Sequence, residues 1–88
     1  MSVETTESIA HLRTEIDVLD ERLIALLEER RALSLRVQRT RTRGGGDRLA
    51  ADREEWIVRR YADRLGDAGA RLAGAVLEMC RGTTRSPR

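Results

Sequence analysis

Lysine and phenylalanine are absent from this sequence, and cysteine and proline occur once each. Because the only aromatic residues are Trp56 and Tyr61, a β-sandwich with an aromatic core is excluded. A single cysteine, Cys80, excludes a disulfide scaffold and fits a reducing compartment. There is no apolar run long enough for a transmembrane helix and no basic-then-apolar leader, so we expect a cytoplasmic protein without a membrane partner.

The chain of 88 residues is 40% hydrophobic and 36% charged, which is too apolar for a disordered coil. A chain this short has room for only one core. We therefore expect a single domain over residues 1–88, with mobile ends at 1–7 and 84–88.

All 17 basic residues are arginines, and they are unevenly distributed. Residues 1–29 hold eight acids and two arginines, a net charge of −6, whereas residues 30–48 hold seven arginines and one acid, a net charge of +6. GC-rich codon usage is the simplest explanation for the lack of lysine. Arginine also binds carboxylates through two parallel hydrogen bonds, so the composition suits an anionic ligand.

Apolar residues recur at intervals of four and three in the first half of the chain, which predicts one long amphipathic helix. They are Leu12, Ile16, Leu19, Leu23, Leu26, Leu33 and Val37, and we call them the α1 stripe. We expect the helix to begin near Ser8, a suitable N-cap, and to end at the glycines 44–46.

Two shorter helices are predicted after the glycine run. The second begins near Asp47 and ends before the segment 66–69, which contains two glycines, and the third begins near Ala70. Their expected inward-facing residues are Ala50, Ile57, Tyr61 and Leu65, then Leu72, Val76 and Met79 or Cys80.

The length of the first helix has a consequence for assembly. About 35 residues span roughly 50 Å, whereas a compact chain of this size has a radius of gyration of about 12 Å. The apolar stripe must therefore face water or lie against a second copy. We predict an all-α fold with three helices per chain, one of them a long N-terminal helix, in an intertwined helical homodimer.

Charged residues interrupt the apolar faces. Arg30 and Arg41 fall on the first stripe, Glu54 falls on the second, and Arg53 is beside it. An internal salt bridge explains any one of these, but one carboxylate cannot neutralise three buried guanidiniums, and each unpaired one costs several kcal/mol, on the order of 3–5. The set indicates a positive pocket with one acceptor, suited to a small ligand with two carboxylates and a hydroxyl. No metal-ligand spacing or nucleophile–base pair is visible, so we expect neither metal nor cofactor.

Several segments together resemble the all-helical (AroQ-type) chorismate mutases over about residues 9–83. They are Leu12-Arg13, residues 16–20, 26–31 and 37–41, and Asp52-Arg53-Glu54. Arg41, the glycine-rich turn, Arg48-Leu49 and Arg81-Gly82 are similar to the short intracellular actinobacterial subgroup. The resemblance implies the Claisen rearrangement of chorismate to prephenate in phenylalanine and tyrosine biosynthesis, without a cofactor. For the subgroup it implies weak activity alone and activation by a complex with 3-deoxy-D-arabino-heptulosonate 7-phosphate synthase.

The resemblance also implies roles for individual residues. Arg30 and Arg13 bind the two carboxylates of the substrate, with Arg13 reaching in from the other subunit. Arg41 donates to the ether oxygen and a carboxylate, and Glu54 accepts a hydrogen bond from the ring hydroxyl. These are the expected catalytic and substrate-binding groups.

Further positions either support this site or depart from the family pattern. Arg53 is expected to support the site, and Thr83 falls where many relatives have a serine that contacts a carboxylate. Ala50 replaces an aspartate that many members carry near the ring hydroxyl. Pro87, which has no hydrogen-bond donor, occupies the expected position of a second donor to the ether oxygen. Both departures fit a weak isolated enzyme.

Other functions remain open at this point. The same scaffold resembles 4-amino-4-deoxychorismate mutases and isochorismate pyruvate lyases, and Ala50 lies close to the substituent that distinguishes the amino substrate. A non-catalytic regulatory subunit is a further alternative. A nucleic-acid-binding helical dimer is disfavoured, because the acidic first half repels phosphate and no aromatic platform accompanies the arginines. The arginines that motivate it are Arg36, Arg39, Arg41, Arg43 and Arg48.

Overall fold

The computed structural model describes residues 8–41 and 47–81, and this part of the chain is all-helical. Helix α1 spans Ile9–Arg41, and helix α2 spans Asp47–Cys80. The backbone N–H of His11 donates to Ser8 Oγ at 3.0 Å, which confirms Ser8 as the N-cap of α1. The predicted glycine turn at 44–46 and the predicted mobile ends at 1–7 and 84–88 lie outside the described residues.

The prediction of three helices is wrong, because the described residues 8–41 and 47–81 form two, α1 and α2. The stretch predicted as a third helix is the C-terminal segment of α2, which bends at Gly66, with φ 79° and ψ −163°. Glycine adopts this backbone conformation without a steric penalty from a Cβ atom. One residue therefore changes the direction of the chain, and helical hydrogen bonding resumes without a separate loop.

The two segments of α2 lie side by side on either side of the bend. Arg81 at the end of the helix forms an ion pair with Glu54 near its beginning, which a straight helix would hold about 40 Å apart. Close approach at the bend requires Gly69, since a Cβ atom there would collide with the Tyr61 carbonyl oxygen. The hairpin-like course of α2 brings its two ends together.

A small core fills the hairpin. Its buried apolar residues are Ile57, Ala73, Val76, Leu77 and Cys80. The prediction that Leu65 and Leu72 face inward is wrong, since 58% and 47% of their surfaces are exposed. The bend at Gly66 sets which face of the last segment is buried, and that face carries Gly69 and Ala73 and leaves Leu72 outside it.

The end of α2 is attached to the C-terminal half of α1. Ser34 Oγ and Gln38 Nε2 both donate to the Cys80 carbonyl oxygen, at 2.9 and 3.1 Å. The last carbonyls of a helix have no partner within the helix, and side chains of α1 supply partners here. The N-terminal half of α1 is exposed throughout.

The chain is elongated, with a longest dimension of 62 Å and a radius of gyration of 17.9 Å. Every residue of the α1 stripe is at least 40% exposed, and Leu26 reaches 60%. A single chain therefore leaves the predicted apolar face uncovered. Within the described ranges, neither helix has a segment long and apolar enough to cross a membrane.

Candidate functional site

Arg30 lies where α1 meets the end of α2. It is half-buried and precedes Ser34 by one helical turn on the same side of α1. Because Ser34 binds the Cys80 carbonyl oxygen, Arg30 is close to the last turn of α2. Arg41 is the last residue of α1, and its side chain lies outside the described part of the structure.

Glu54 is half-buried on the first segment of α2 and forms an ion pair with Arg81. Its Oε1 atom accepts a hydrogen bond from Arg81 Nη2 at 3.0 Å. Arg81 was not among the three arginines, Arg30, Arg41 and Arg53, that the sequence offered for an internal salt bridge. The carboxylate of Glu54 is therefore attached to the C-terminal end of α2.

Arg53 lies on the exposed face of α2, where its guanidinium carbon is 4.9 Å from the centre of the Trp56 ring. The guanidinium carbon of Arg60 is 4.7 Å from the same ring. A guanidinium over an indole ring at this distance is attracted to its negative face. The Arg53 side chain is therefore held against the Trp56 ring. Arg53 precedes Glu54 directly in the sequence, and its contact with the ring was not predicted.

Arg13 is exposed on the second turn of α1. It precedes Arg30 by 17 residues, which corresponds to about 25 Å along the helix. A ligand with one ring cannot bridge these two guanidiniums within one chain. Thr83, the remaining predicted contact, lies outside the described residues.

The residues that tie this region together were not predicted as functional. Ser34 and Gln38 bind the end of α2, and Arg81 binds Glu54. A signal was available for the first two, because they follow Arg30 at intervals of four on one side of the helix. Nothing in the local pattern around Arg81 indicates a partner 27 residues earlier.

The assembled chemistry consists of guanidinium donors and one carboxylate acceptor. Arg30 lies one helical turn from Ser34, which binds the Cys80 carbonyl oxygen, and Glu54 itself binds Arg81, the residue that follows α2. The described residues contain no group of three or more histidine, cysteine, aspartate or glutamate side chains that could hold a metal ion. The arrangement can bind an anion and accept a hydrogen bond from a hydroxyl group.

Comparisons with known proteins agree with this chemistry. Residues 12–80 match the family model described as chorismate mutase type II. An intracellular chorismate mutase from Mycolicibacterium smegmatis is 37% identical over 81 residues, which cover 92% of this chain and 78% of that protein. Intracellular chorismate mutases from Mycobacterium bovis and Mycobacterium tuberculosis are each 38% identical over 87 residues, covering 93% of this chain and 82% of theirs. No solved structure matches the chain.

Proposed function

Because the chain belongs to the chorismate mutase type II family, we propose that it converts chorismate to prephenate at a site completed by a second copy. The activity follows from the family, and the observation that carries it is the match over residues 12–80. The enzyme is an isomerase, and its product leads to aromatic amino acids. The roles of the individual site residues, the homodimer and the partner enzyme are further proposals.

The reaction needs only positioning and electrostatics. Chorismate carries two carboxylates and a ring hydroxyl, and it rearranges within one molecule. Breaking the ether bond places negative charge on the ether oxygen, so a fixed cation there stabilises the transition state more than the ground state. Cations on the two carboxylates hold the reactive chair-like conformation, which lowers the entropic cost of reaching it.

Each charged residue has a proposed role in this scheme. Arg30 and the Arg13 of a second chain bind the carboxylates, Arg41 donates to the ether oxygen, and Glu54 accepts from the ring hydroxyl. The half-buried placement of Arg30 and Glu54 around the last turn of α2 supports this assignment. Arg53 retains its proposed supporting role.

The homodimer is proposed from the exposed α1 stripe and from the charge distribution. The acidic segment 1–29 and the basic segment 30–48 carry net charges of −6 and +6, so two α1 helices attract each other when they run antiparallel. A pairing centred on Ala25, the midpoint of α1, places Arg13 of one chain opposite Val37 of the other. That position lies between Arg30 and Arg41, which supports a shared site.

A complex with 3-deoxy-D-arabino-heptulosonate 7-phosphate synthase is also proposed, together with a cytoplasmic location. The relatives are named intracellular chorismate mutases, and the sequence resembles the subgroup in which this partner activates the mutase. Ala50 is half-buried one turn before Glu54 and offers no acceptor of its own. Low activity of the isolated chain, raised by the partner, fits this gap.

The test is the loss of chorismate absorbance with purified protein, alone and with the synthase from the same organism. Slow turnover that rises strongly with the synthase supports both the activity and the partner. Turnover that the synthase leaves unchanged removes the partner from the proposal. An intact dimer without turnover in either case refutes the chorismate mutase activity.

The methyl side chain of Ala50 favours one second candidate, a substrate with a different ring substituent near that position. Assays with 4-amino-4-deoxychorismate and isochorismate under the same conditions test it. Faster turnover of either compound than of chorismate would make that compound the substrate. A purely regulatory subunit is tested by Arg41→Ala, which should stop prephenate formation while the complex with the synthase stays intact.

A further inference from the structure

We infer that Arg81 is a positioning residue that orients the Glu54 carboxylate toward the substrate. The inference rests on the proposed function, since it takes Glu54 to be the acceptor for the ring hydroxyl. Three observations carry it: the ion pair between Arg81 and Glu54, the anchoring of the residue before Arg81, and the second oxygen of Glu54, which no described residue binds.

The ion pair joins two segments that are distant in sequence. Arg81 Nη2 donates to Glu54 Oε1 at 3.0 Å across 27 residues of the chain. Glutamate has three side-chain torsions, so an unbound Glu54 would sample several positions. A charged hydrogen bond from a fixed donor selects one of them.

The donor is fixed because the backbone next to it is anchored. Ser34 Oγ and Gln38 Nε2 hold the Cys80 carbonyl oxygen from α1, and Arg81 follows Cys80 directly. Hydrogen bonds therefore connect α1 to the end of α2, and the ion pair connects the end of α2 to its beginning. Through this connection, the position of Glu54 is set relative to Arg30, which lies one turn from Ser34.

The ion pair is suited to orientation more than to stability. The side chains of Arg81 and Glu54 are 47% and 36% exposed, and pairs this exposed contribute little to the free energy of folding. Arg81 binds only Oε1 of Glu54. Among the described residues nothing binds Oε2, so that oxygen is left to accept a hydrogen bond from a ligand.

The test is a double-mutant cycle on chorismate turnover with Arg81→Met, Glu54→Ala and the double variant, using the full chain with the synthase present. The hydroxyl contact exists in both the ground state and the transition state, so Arg81→Met should act mainly on KM. We expect KM to rise about three- to tenfold, the cost of ordering one flexible side chain, with kcat within about twofold. In the Glu54→Ala background, Arg81→Met should have no further effect.

Matched controls separate positioning from folding. Arg71→Met makes the same change at an exposed site on the same segment of α2 and should leave KM unchanged. Arg81→Lys, whose ammonium group can still donate to Glu54, should restore most of the loss. Helicity by circular dichroism and dimer formation are measured for each variant, and Arg81→Gln replaces Arg81→Met in the cycle if the latter does not fold.

Three results would overturn the inference while the wild type remains active. The first is an unchanged KM in Arg81→Met. The second is that Arg81→Met causes the same loss of activity in the Glu54→Ala background, which would mean that Arg81 contacts the substrate directly. The third is a gain in activity in Arg81→Met, which would mean that the ion pair blocks Glu54. A wild type without turnover refutes the proposed function instead, so the two failures are distinguishable.

Discussion

Hybrid dimers provide a direct test of whether Arg13 acts across the proposed dimer. Arg13 and Arg30 are about 25 Å apart on one straight helix, so a shared site needs one residue from each chain. Arg13→Ala and Arg30→Ala homodimers should both be inactive. A hybrid dimer of the two variants has one site with both arginines and one site with neither.

The expected magnitude follows from this geometry. Unfolding and refolding an equal mixture produces hybrids as about half of all dimers, and each hybrid has one working site of two. The mixture should therefore regain about a quarter of wild-type activity, and purified hybrids should show about half. Different affinity tags on the two variants allow the hybrids to be isolated and assayed for chorismate consumption.

A second pair of variants serves as the control. Arg30 and Arg41 are proposed to serve the same site from the same chain, so hybrids of Arg30→Ala with Arg41→Ala have no complete site and should stay inactive. Purified hybrids of Arg13→Ala with Arg30→Ala that show no activity would refute the shared site. Recovery in the control pair would refute the assignment of Arg30 and Arg41 to one chain.

The remaining predictions concern single substitutions. Arg30→Ala and Arg41→Ala should each lower kcat/KM about a hundredfold or more while the dimer still forms. The reason is that Arg30 is the proposed cation at a substrate carboxylate and Arg41 is the proposed cation at the ether oxygen, where negative charge develops. Near-normal activity of either variant would contradict the proposed site. Glu54→Gln should be milder than either, because an amide oxygen still accepts a hydrogen bond; a loss as large as that of Arg30→Ala would indicate that the negative charge is required. Gly69→Ala should destabilise the protein by about 1–3 kcal/mol, because the added Cβ atom collides with the Tyr61 backbone. Gly74→Ala should stabilise the protein by about 0.5–1 kcal/mol, because a Cβ atom at that position meets nothing within 4 Å. Thermal unfolding at one protein concentration measures both, and equal shifts would contradict the close approach at the bend.

The sequence predicted the local features of the helices well. The intervals of four and three located α1, and Ser8 was recognised as its cap because a serine before a helical pattern forms hydrogen bonds within one turn. The predicted number of helices was wrong because Gly66 and Gly69 indicate only that the helix is interrupted. A loop between two helices and a bend at one residue are equally compatible with that pattern. Only the positive φ of Gly66 distinguishes the two.

The candidate site divides in the same way. The charges of Arg30 and Glu54 stood out in the sequence because each interrupts an apolar period. The partner of Glu54 could not be found this way, since Arg81 and Glu54 meet only because α2 turns back on itself. The same turn brings Cys80 to Ser34, 46 residues earlier.

The sequence by itself determined the helical class, the long amphipathic α1 and the chemistry of arginines with one carboxylate, because these depend on residue type and on spacing within a few turns. The tertiary structure decided which faces of α2 are buried and which arginine holds Glu54. Those outcomes depend on the direction that the chain takes after Gly66. A single backbone conformation there sets every contact between the two ends of α2, and no local pattern encodes its angle.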